Sequence, residues 1–468
     1  MSPTHQMSGM TRRSFFARAG AGFAALGLAE MIAKEASASG SSKFVLSHEP
    51  KAKRVVFFFL NGGPSHIDMF DPKPALMKYQ GQPLPPKFQL SRLKGPLLPT
   101  PFRFEKHGQS GIELSSLLPN LSKVADELCI VRSMTSEATD HQPAILAMNC
   151  GHVREVRASL GSWMIYGLGS ENDNLPGFVS LCPGGFPTGA QDNWQAAFLP
   201  PLYQGVYINP ELGDKVIPDL KNPNLTLDEQ RRQLDMLKEL NNEHLVNHGN
   251  HESLVARMHA FELAFGMQTA APDVLDISKE SPRIREMYGD SPQGNQAIIA
   301  RRLLEKGVRF VQLYHSADKP WDSHESLEKN HKTLARDADQ AIAALIQDLK
   351  ERDMLKDTLV VCGGEFGRAP TAEVCFESSN ALANAGRDHN WSGFSMCLAG
   401  GGVRAGSVVG ATDDFGLSAI DNPVTLHDLH ATILHLMGID HTKLTYLHAG
   451  RAFRLTDTAG RVVNDIVS

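Results

Sequence analysis

The sequence predicts an α/β fold, a mostly parallel sheet sandwiched between helices, and three observations carry that expectation. Short continuous apolar runs alternate along the chain with segments of helical spacing, the order that buries a parallel sheet on both faces. The apolar runs end in glycine-rich or polar loops. No internal repeat is present, which excludes solenoids and propellers. Composition agrees with an ordinary globular protein: 42% hydrophobic and 21% charged residues, with a net charge of −6 over 468 residues. This mildly acidic balance, without a Lys/Arg run, argues against a nucleic-acid partner.

The N-terminus reads Thr11-Arg12-Arg13-Ser14-Phe15-Phe16, then an Ala/Gly-rich apolar stretch, then Ala36-Ser37-Ala38. Paired arginines, an apolar run too short to span a bilayer and a small-residue cleavage site predict a twin-arginine export signal over residues 1–38. The expected partner is the twin-arginine translocase, and the expected location is periplasmic or extracellular. Because that route carries folded proteins, it suggests a metal or cofactor inserted before export. A polar linker over 39–53 leads into a single domain expected over 54–468.

Arg54–Leu60 is an apolar run that predicts a buried strand entering the loop Asn61-Gly62-Gly63-Pro64. Leu118 to Cys129 has helical spacing, followed by a short strand at Ile130-Val131 and a helix over Pro143–Asn149. Trp163–Leu168 continues the helical region, and Gly177–Leu181 predicts the next strand. Two polar helices within Leu225–Met267 read as a surface insertion. Strands are then expected at Val308–Leu313, Thr358–Cys362 and Gly393–Leu398, with a long amphipathic helix over Leu327–Arg352. Gly400-Gly401-Gly402 predicts a turn, and Thr425 with Asp428 predicts the N-terminal cap of a helix reaching Met437. None of the six cysteines, Cys129, Cys150, Cys182, Cys362, Cys375 and Cys397, forms a Cys-x-x-Cys motif, so a structural zinc site lacks its paired spacing.

In open α/β sheets ligands sit beyond the carboxyl ends of the strands, so the polar residues following apolar runs are the candidate site. The first strand leads into Ser65-His66-Ile67-Asp68, and the strand at Val308 leads into His315 and Trp321-Asp322-Ser323-His324. The strand at Thr358 leads into Gly364-Glu365-Phe366-Gly367-Arg368, and Gly386-Arg387-Asp388-His389 precedes the next. Carboxylates and imidazoles suit divalent metals, and their recurrence at four strand ends suggests a site assembled from distant segments. Arg132, Arg368 and Arg387 near the same ends offer guanidinium forks for phosphate or sulfate oxygens.

These strings resemble a known family. Leu60-Asn-Gly-Gly-Pro-Ser-His-Ile-Asp68, Phe70-Asp-Pro-Lys73, Trp321-Asp-Ser-His324, Gly364-Glu-Phe-Gly-Arg368 and Gly386-Arg-Asp-His389 closely resemble domain of unknown function family 1501. That family is an exported branch of the alkaline phosphatase and sulfatase superfamily. Leu118–Asp126 and Thr425–Leu434 are similar to segments of the wider superfamily. The resemblance implies an alkaline-phosphatase-like core and a site for one or two divalent ions, Zn, Ca, Mg or Mn. It implies hydrolysis of phosphate or sulfate esters of a small molecule or polysaccharide. The implied metal ligands are Asp322, His324, Glu365 and His389; the first loop lacks the usual paired acids, and Asp68 further along it is expected as a fifth ligand, with Ser65 and Arg387, and less centrally Thr139, expected to contact substrate. Arg368 is expected to act in catalysis. Where sulfatases carry Cys or Ser, this chain has Asp140-His141-Gln142-Pro143, which makes His141 either a further ligand or the nucleophile and disfavours a formylglycine mechanism. The competing expectation is a chain that keeps the fold but has lost turnover, serving as an exported binding or assembly protein.

Overall fold

The computed structural model describes residues 46–88, 92–212, 217, 220–249, 252–373 and 384–468. The export signal, most of the linker and Cys375 lie outside the described residues. At the centre of a nine-stranded sheet runs β1 (Arg54–Phe59). The chain then contributes β2 (Leu128–Thr135), β3 (Phe178–Leu181), β4 (Val206–Ile208), β5 (Phe310–Tyr314), β6 (Thr358–Gly363), β7 (Phe394–Ala399), β8 (Ser407–Val409) and β9 (Val424–Thr425). Their spatial order is β8-β2-β7-β6-β1-β5-β3-β4, with β9 also beside β2. β1 pairs in parallel with β5, Val55 opposite Phe310, and with β6, Val55 opposite Leu359. Only β7 runs against its neighbours, β2 and β6; the other pairings of this sheet are parallel.

Helices cover both faces. They are α1 (His141–Cys150), α2 (Leu160–Leu168), α3 (Leu227–His248), α4 (Glu252–Leu275), α5 (Pro292–Glu305), α6 (Leu327–Glu351) and α7 (Leu426–Leu436). The period-two geometry of a strand divides β1 between two cores. Val56, Phe58 and Leu60 pack in one core with Ile298 and Leu303 of α5 and Ile342 and Leu345 of α6. Val55, Phe57 and Phe59 pack in the other with Met148 of α1, Trp163 of α2 and Ile433 of α7. Full burial of side chains this large stabilises the fold by roughly 1.5–3 kcal/mol each. This is why a central strand reads as an unbroken apolar run.

Three boundaries differ from the sequence expectation. The stretch expected as an α-helix from Leu118 is a 3-10 helix over Leu121–Glu127, and the strand after it begins at Leu128 and is eight residues long. Leu128-Cys129-Ile130-Val131 is fully buried between β7 and β8, so strand pairing claims residues whose spacing also fitted a helix. α1 begins at His141, with Asp140 extended as its N-cap residue, because Pro143 is tolerated within a first helical turn. In the insertion, α4 runs past Met267 to Leu275, where Arg302 of α5 donates to the carbonyls of Val274 and Asp273. An Arg231–Glu262 ion pair ties α3 to α4, and a capping box of Thr226 and Glu229 starts α3. Thr425 and Asp428 form a capping box at the start of α7. The five described cysteines are free and buried. No helix among the described residues is long and apolar enough to cross a membrane.

Candidate metal centre

The carboxyl ends of β2, β5 and β6 all lie at one edge of the sheet. Because β7 runs the opposite way, its amino end lies at that same edge, and the residues preceding it join the others there. His141 arrives five residues beyond the buried Ser136, at the start of α1, while Asp322 and His324 come from the loop after β5 and His389 from the segment leading to β7.

These four residues place one ligand atom each within a cluster less than 4.8 Å across. Asp322 Oδ1 is 3.0 Å from His141 Nε2, 2.8 Å from His324 Nε2 and 3.4 Å from His389 Nε2. The two nitrogens of His324 and His389 are 3.1 Å apart. For tetrahedral zinc, bonds of about 2.0–2.1 Å to nitrogen or oxygen put donor atoms about 3.3 Å apart. Three of these separations fall inside that spacing and the fourth, 3.4 Å, just beyond it.

Each imidazole is oriented through its other nitrogen. His141 Nδ1 lies 2.6 Å from Glu365 Oε1, His324 Nδ1 lies 2.6 Å from Glu373 Oε2, and His389 Nδ1 lies 3.0 Å from the Thr139 carbonyl. Carboxylates and carbonyls only accept, so each neutral ring carries its proton on Nδ1 and turns an Nε2 lone pair to the centre. Three lone pairs and a carboxylate oxygen then face one another, which is repulsive unless a metal ion or a proton held on the rings lies between them. His141 Nε2 is buried without an aligned hydrogen-bond partner despite its closeness to Asp322, as fits an atom aimed at an ion. The donor set therefore fits a divalent metal, and the outer carboxylates supply the orientation that metal-binding histidines require.

The same charges set the titration of the metal-free site. Burial raises the pKa of Asp322, but the close approach of the His141, His324 and His389 rings and the charge of Arg368 hold it far below the usual carboxylate range. His324 is pushed up to about 9 by Asp322 and Glu373. Burial lowers His141, yet Asp322 and Glu365 together leave it raised. Phe366 lies against two of the rings, at 4.8 Å from His141 and 4.6 Å from His389. Gly62, at φ +113°, makes the close approach beneath the site possible: a Cβ there would sit 2.7 Å from the backbone nitrogen of Asp322. Its own N–H donates to Glu365 at 3.0 Å.

Residues 52–467 match the family model described as Protein of unknown function (DUF1501). The chain belongs to that family. No curated protein matches it. Among solved structures, the PsFucS1 sulfatase from Pseudoalteromonas sp. aligns at 11% identity and a TM-score of 0.34, over 92% of this DUF1501 chain and 72% of the sulfatase. Alkaline phosphatase from the Antarctic bacterium TAB5 aligns at 10% identity and a TM-score of 0.36, over 83% and 99% of the two chains. The lipoteichoic acid synthase LtaP from Listeria monocytogenes aligns at 10% identity and a TM-score of 0.34, over 88% and 78%. Likenesses this distant carry no chemical inference, which rests on the residues themselves.

The other residues expected at the site of this DUF1501 chain lie elsewhere. Asp68 is fully buried against Arg387, whose Nε is 2.9 Å from its Oδ2, and it also accepts from Ser65 Oγ at 2.5 Å. Asp68 is a counter-ion, not one of the converging atoms, and Ser65 and Arg387, both fully buried, are closed to substrate. Arg368 is likewise fully buried. It donates to the carbonyls of Gly62, Gly63, Trp321 and Arg387 and to Asp322 Oδ1, so it fastens three loops together and has no face for substrate. Arg132 donates to the Phe70 carbonyl beside Asp71. Glu365 stands one step out, behind His141. Its replacement in Glu365→Gln is expected to weaken metal binding about 10- to 100-fold while leaving the fold intact, measured by competition with a chelating dye.

Two site residues escaped sequence reasoning. Glu373 follows no apolar run and carries no spacing signal, although its place behind His324 is as close as that of Glu365 behind His141. Lys319, with Nζ 2.8 Å from Asp322 Oδ2, sits in the loop after β5 just ahead of the Trp321-Asp322 string. A second acidic group, His324, Glu373 and Asp388, shares His324 with the first. Asp388 is already paired with Arg92 and with the His389 N–H, so that group offers no separate second centre.

Proposed function

We propose that the protein is an exported metal-dependent hydrolase of phosphate or sulfate esters, holding one divalent ion at His141, Asp322, His324 and His389. The observation that carries this is the convergence of three imidazole Nε2 lone pairs on one carboxylate oxygen, each ring fixed by an acceptor on its far side. Three imidazoles and one carboxylate favour zinc over magnesium or calcium, which prefer all-oxygen shells. When bound, such an ion polarises an ester oxygen and lowers the pKa of a water. The chain's own residues hold the donors in place and present a cation to the substrate: Lys319 is partly exposed beside Asp322 and suits an anionic ester. With His141 given to the ion through Nε2 and to Glu365 through Nδ1, the attacking oxygen in this reading comes from solvent. Export is supported by the sequence of residues 11–38.

The second reading, an exported binding or assembly protein without turnover, is favoured by the number of donors. Catalytic zinc sites usually keep three protein ligands and an open position, whereas four close a tetrahedral shell. Against it stands the exposure of the site on one side: the His324 side chain is 40% exposed, leaving room for a fifth partner. Elemental analysis of protein from an exporting host, followed by assay against aryl phosphate and aryl sulfate esters, separates the two. About one divalent ion per chain with turnover supports the hydrolase. One ion without turnover supports the binding protein; no ion and no turnover defeats the hydrolase and its ligand set and leaves the binding protein.

Metal affinity should also depend on pH in a defined direction. His324 must surrender its proton to bind metal, and in the metal-free site that proton is held up to about pH 9. Apparent affinity is therefore expected to rise with pH, about tenfold per unit for each proton displaced, and to level off above the pKa. Isothermal titration calorimetry from pH 6 to 9.5 in two buffers of different ionisation enthalpy would read both the slope and the proton release. A flat profile would contradict the assignment of His324.

A further inference from the structure

Beside the metal centre lies a cleft of about 390 Å³ walled by Glu137, Thr139, Gln142, Leu146, Val153 and Arg154. That volume is within the roughly 300–1,000 Å³ of small-molecule sites. It adjoins the centre through two residues of its wall: Thr139 gives its carbonyl to His389, and Gln142 follows His141 on α1. The lining is of two kinds. Leu146 and Val153 make an apolar floor, while Glu137, Gln142 and Arg154 are exposed and their side chains are neither hydrogen-bonded nor ion-paired to another described residue. The loop carrying Arg154 is held in shape by His152, whose Nδ1 accepts from the N–H groups of Arg154 and Glu155.

We infer that this cleft receives the alcohol half of the ester and that the alcohol is a sugar residue, an assignment that rests on the hydrolase reading of the adjoining metal centre. A pyranose ring has C–H groups on its face, which suit Leu146 and Val153, and hydroxyls on its edge, which can both donate and accept. A carboxylate, an amide and a guanidinium together satisfy such hydroxyls in either sense. An aryl or alkyl alcohol would make no hydrogen bond to these three exposed groups and would forgo that part of the binding. A second anionic group would meet Glu137 as well as Arg154.

The test uses free sugars, which bind without being hydrolysed. Saturation-transfer NMR on the whole mature protein, metal-loaded and after chelator treatment, would survey glucose, galactose and fucose, with cyclohexanol and phenol as comparators. Ring C–H protons of at least one sugar are expected to receive saturation in both forms, more strongly than the comparators. Gln142→Ala and Arg154→Ala should each weaken that sugar about three- to tenfold, and Leu146→Trp should block it, with melting curves confirming that each variant folds. Absence of sugar binding, comparators that bind as well, or affinity unchanged in both alanine variants would overturn the assignment. Failure of the two readings is distinguishable. Sugar binding in a protein inert toward esters leaves the cleft and removes the hydrolase; ester turnover without sugar binding leaves the hydrolase and removes the cleft.

Discussion

Asp322→Ala should lose its metal altogether, with affinity falling by more than the roughly 100-fold that bounds the loss of an outer partner. Its Oδ1 faces three imidazoles and Arg368, and its Oδ2 takes Lys319. Removal also leaves the guanidinium of the fully buried Arg368 without its carboxylate, a situation that costs about 3–5 kcal/mol. Two losses are thus expected together, metal content by elemental analysis and stability by urea denaturation. His324→Ala separates them. His324 is the most exposed of the four proposed ligands, so its removal should empty the site with little effect on the apo fold. Full metal retention in either variant would show the ligand set to be wrong.

Asp68→Asn is the second large effect, and it should act on stability alone. The Asp68–Arg387 pair is fully buried, and removing one charge strands the other at a cost of about 3–5 kcal/mol. A double change to Asp68→Asn with Arg387→Met should recover part of that loss, since neither charge of the pair then remains buried. Variants that fold should bind metal as the parent does, whereas a ligand role for Asp68 predicts loss of metal at full stability. The acid response carries the same signature. Burial raises the pKa of Asp68, but Arg387, His331 and Ser65 outweigh it and leave the pKa lowered. The stabilisation it brings is complete above the ordinary carboxylate pKa and is lost as pH falls through the folded value, so the variant should be less sensitive to acid over that window.

The contrast between these two aspartates marks what the sequence could and could not reveal. Buried strands were legible because a central parallel strand must be apolar on both faces, and β1, β5 and β6 show this directly. That Asp322, His324 and His389 would lie together was legible because polar residues clustered next to such runs have few structural reasons to be there. Asp68 has the same local signature, yet its partner Arg387 is 319 positions away, and only the folded arrangement decides whether a carboxylate meets a guanidinium or a metal. The direction of β7 was illegible for a related reason. Apolar runs specify burial and not polarity, and the bulged pairing of Phe394–Met396 with β2 is visible only in the register. Glu373 was missed because an outer partner needs no particular neighbours in sequence.

The reversed strand gives the centre an unusual dependence on the whole molecule. Thr139 and His389, which meet there, are 250 positions apart, and no short segment of the chain contains more than two of the four donors. A partly folded or unfolded chain therefore has almost no chelating power, and nearly all the binding free energy is available only to the native state. An ion at a free concentration 100 times its dissociation constant would add about 2.7 kcal/mol to global stability and would be released in the same cooperative event that separates β7 from β2 and β6. Metal release would then serve as a clock for unfolding, and the loaded protein would be the form that persists longest where chaperones are absent.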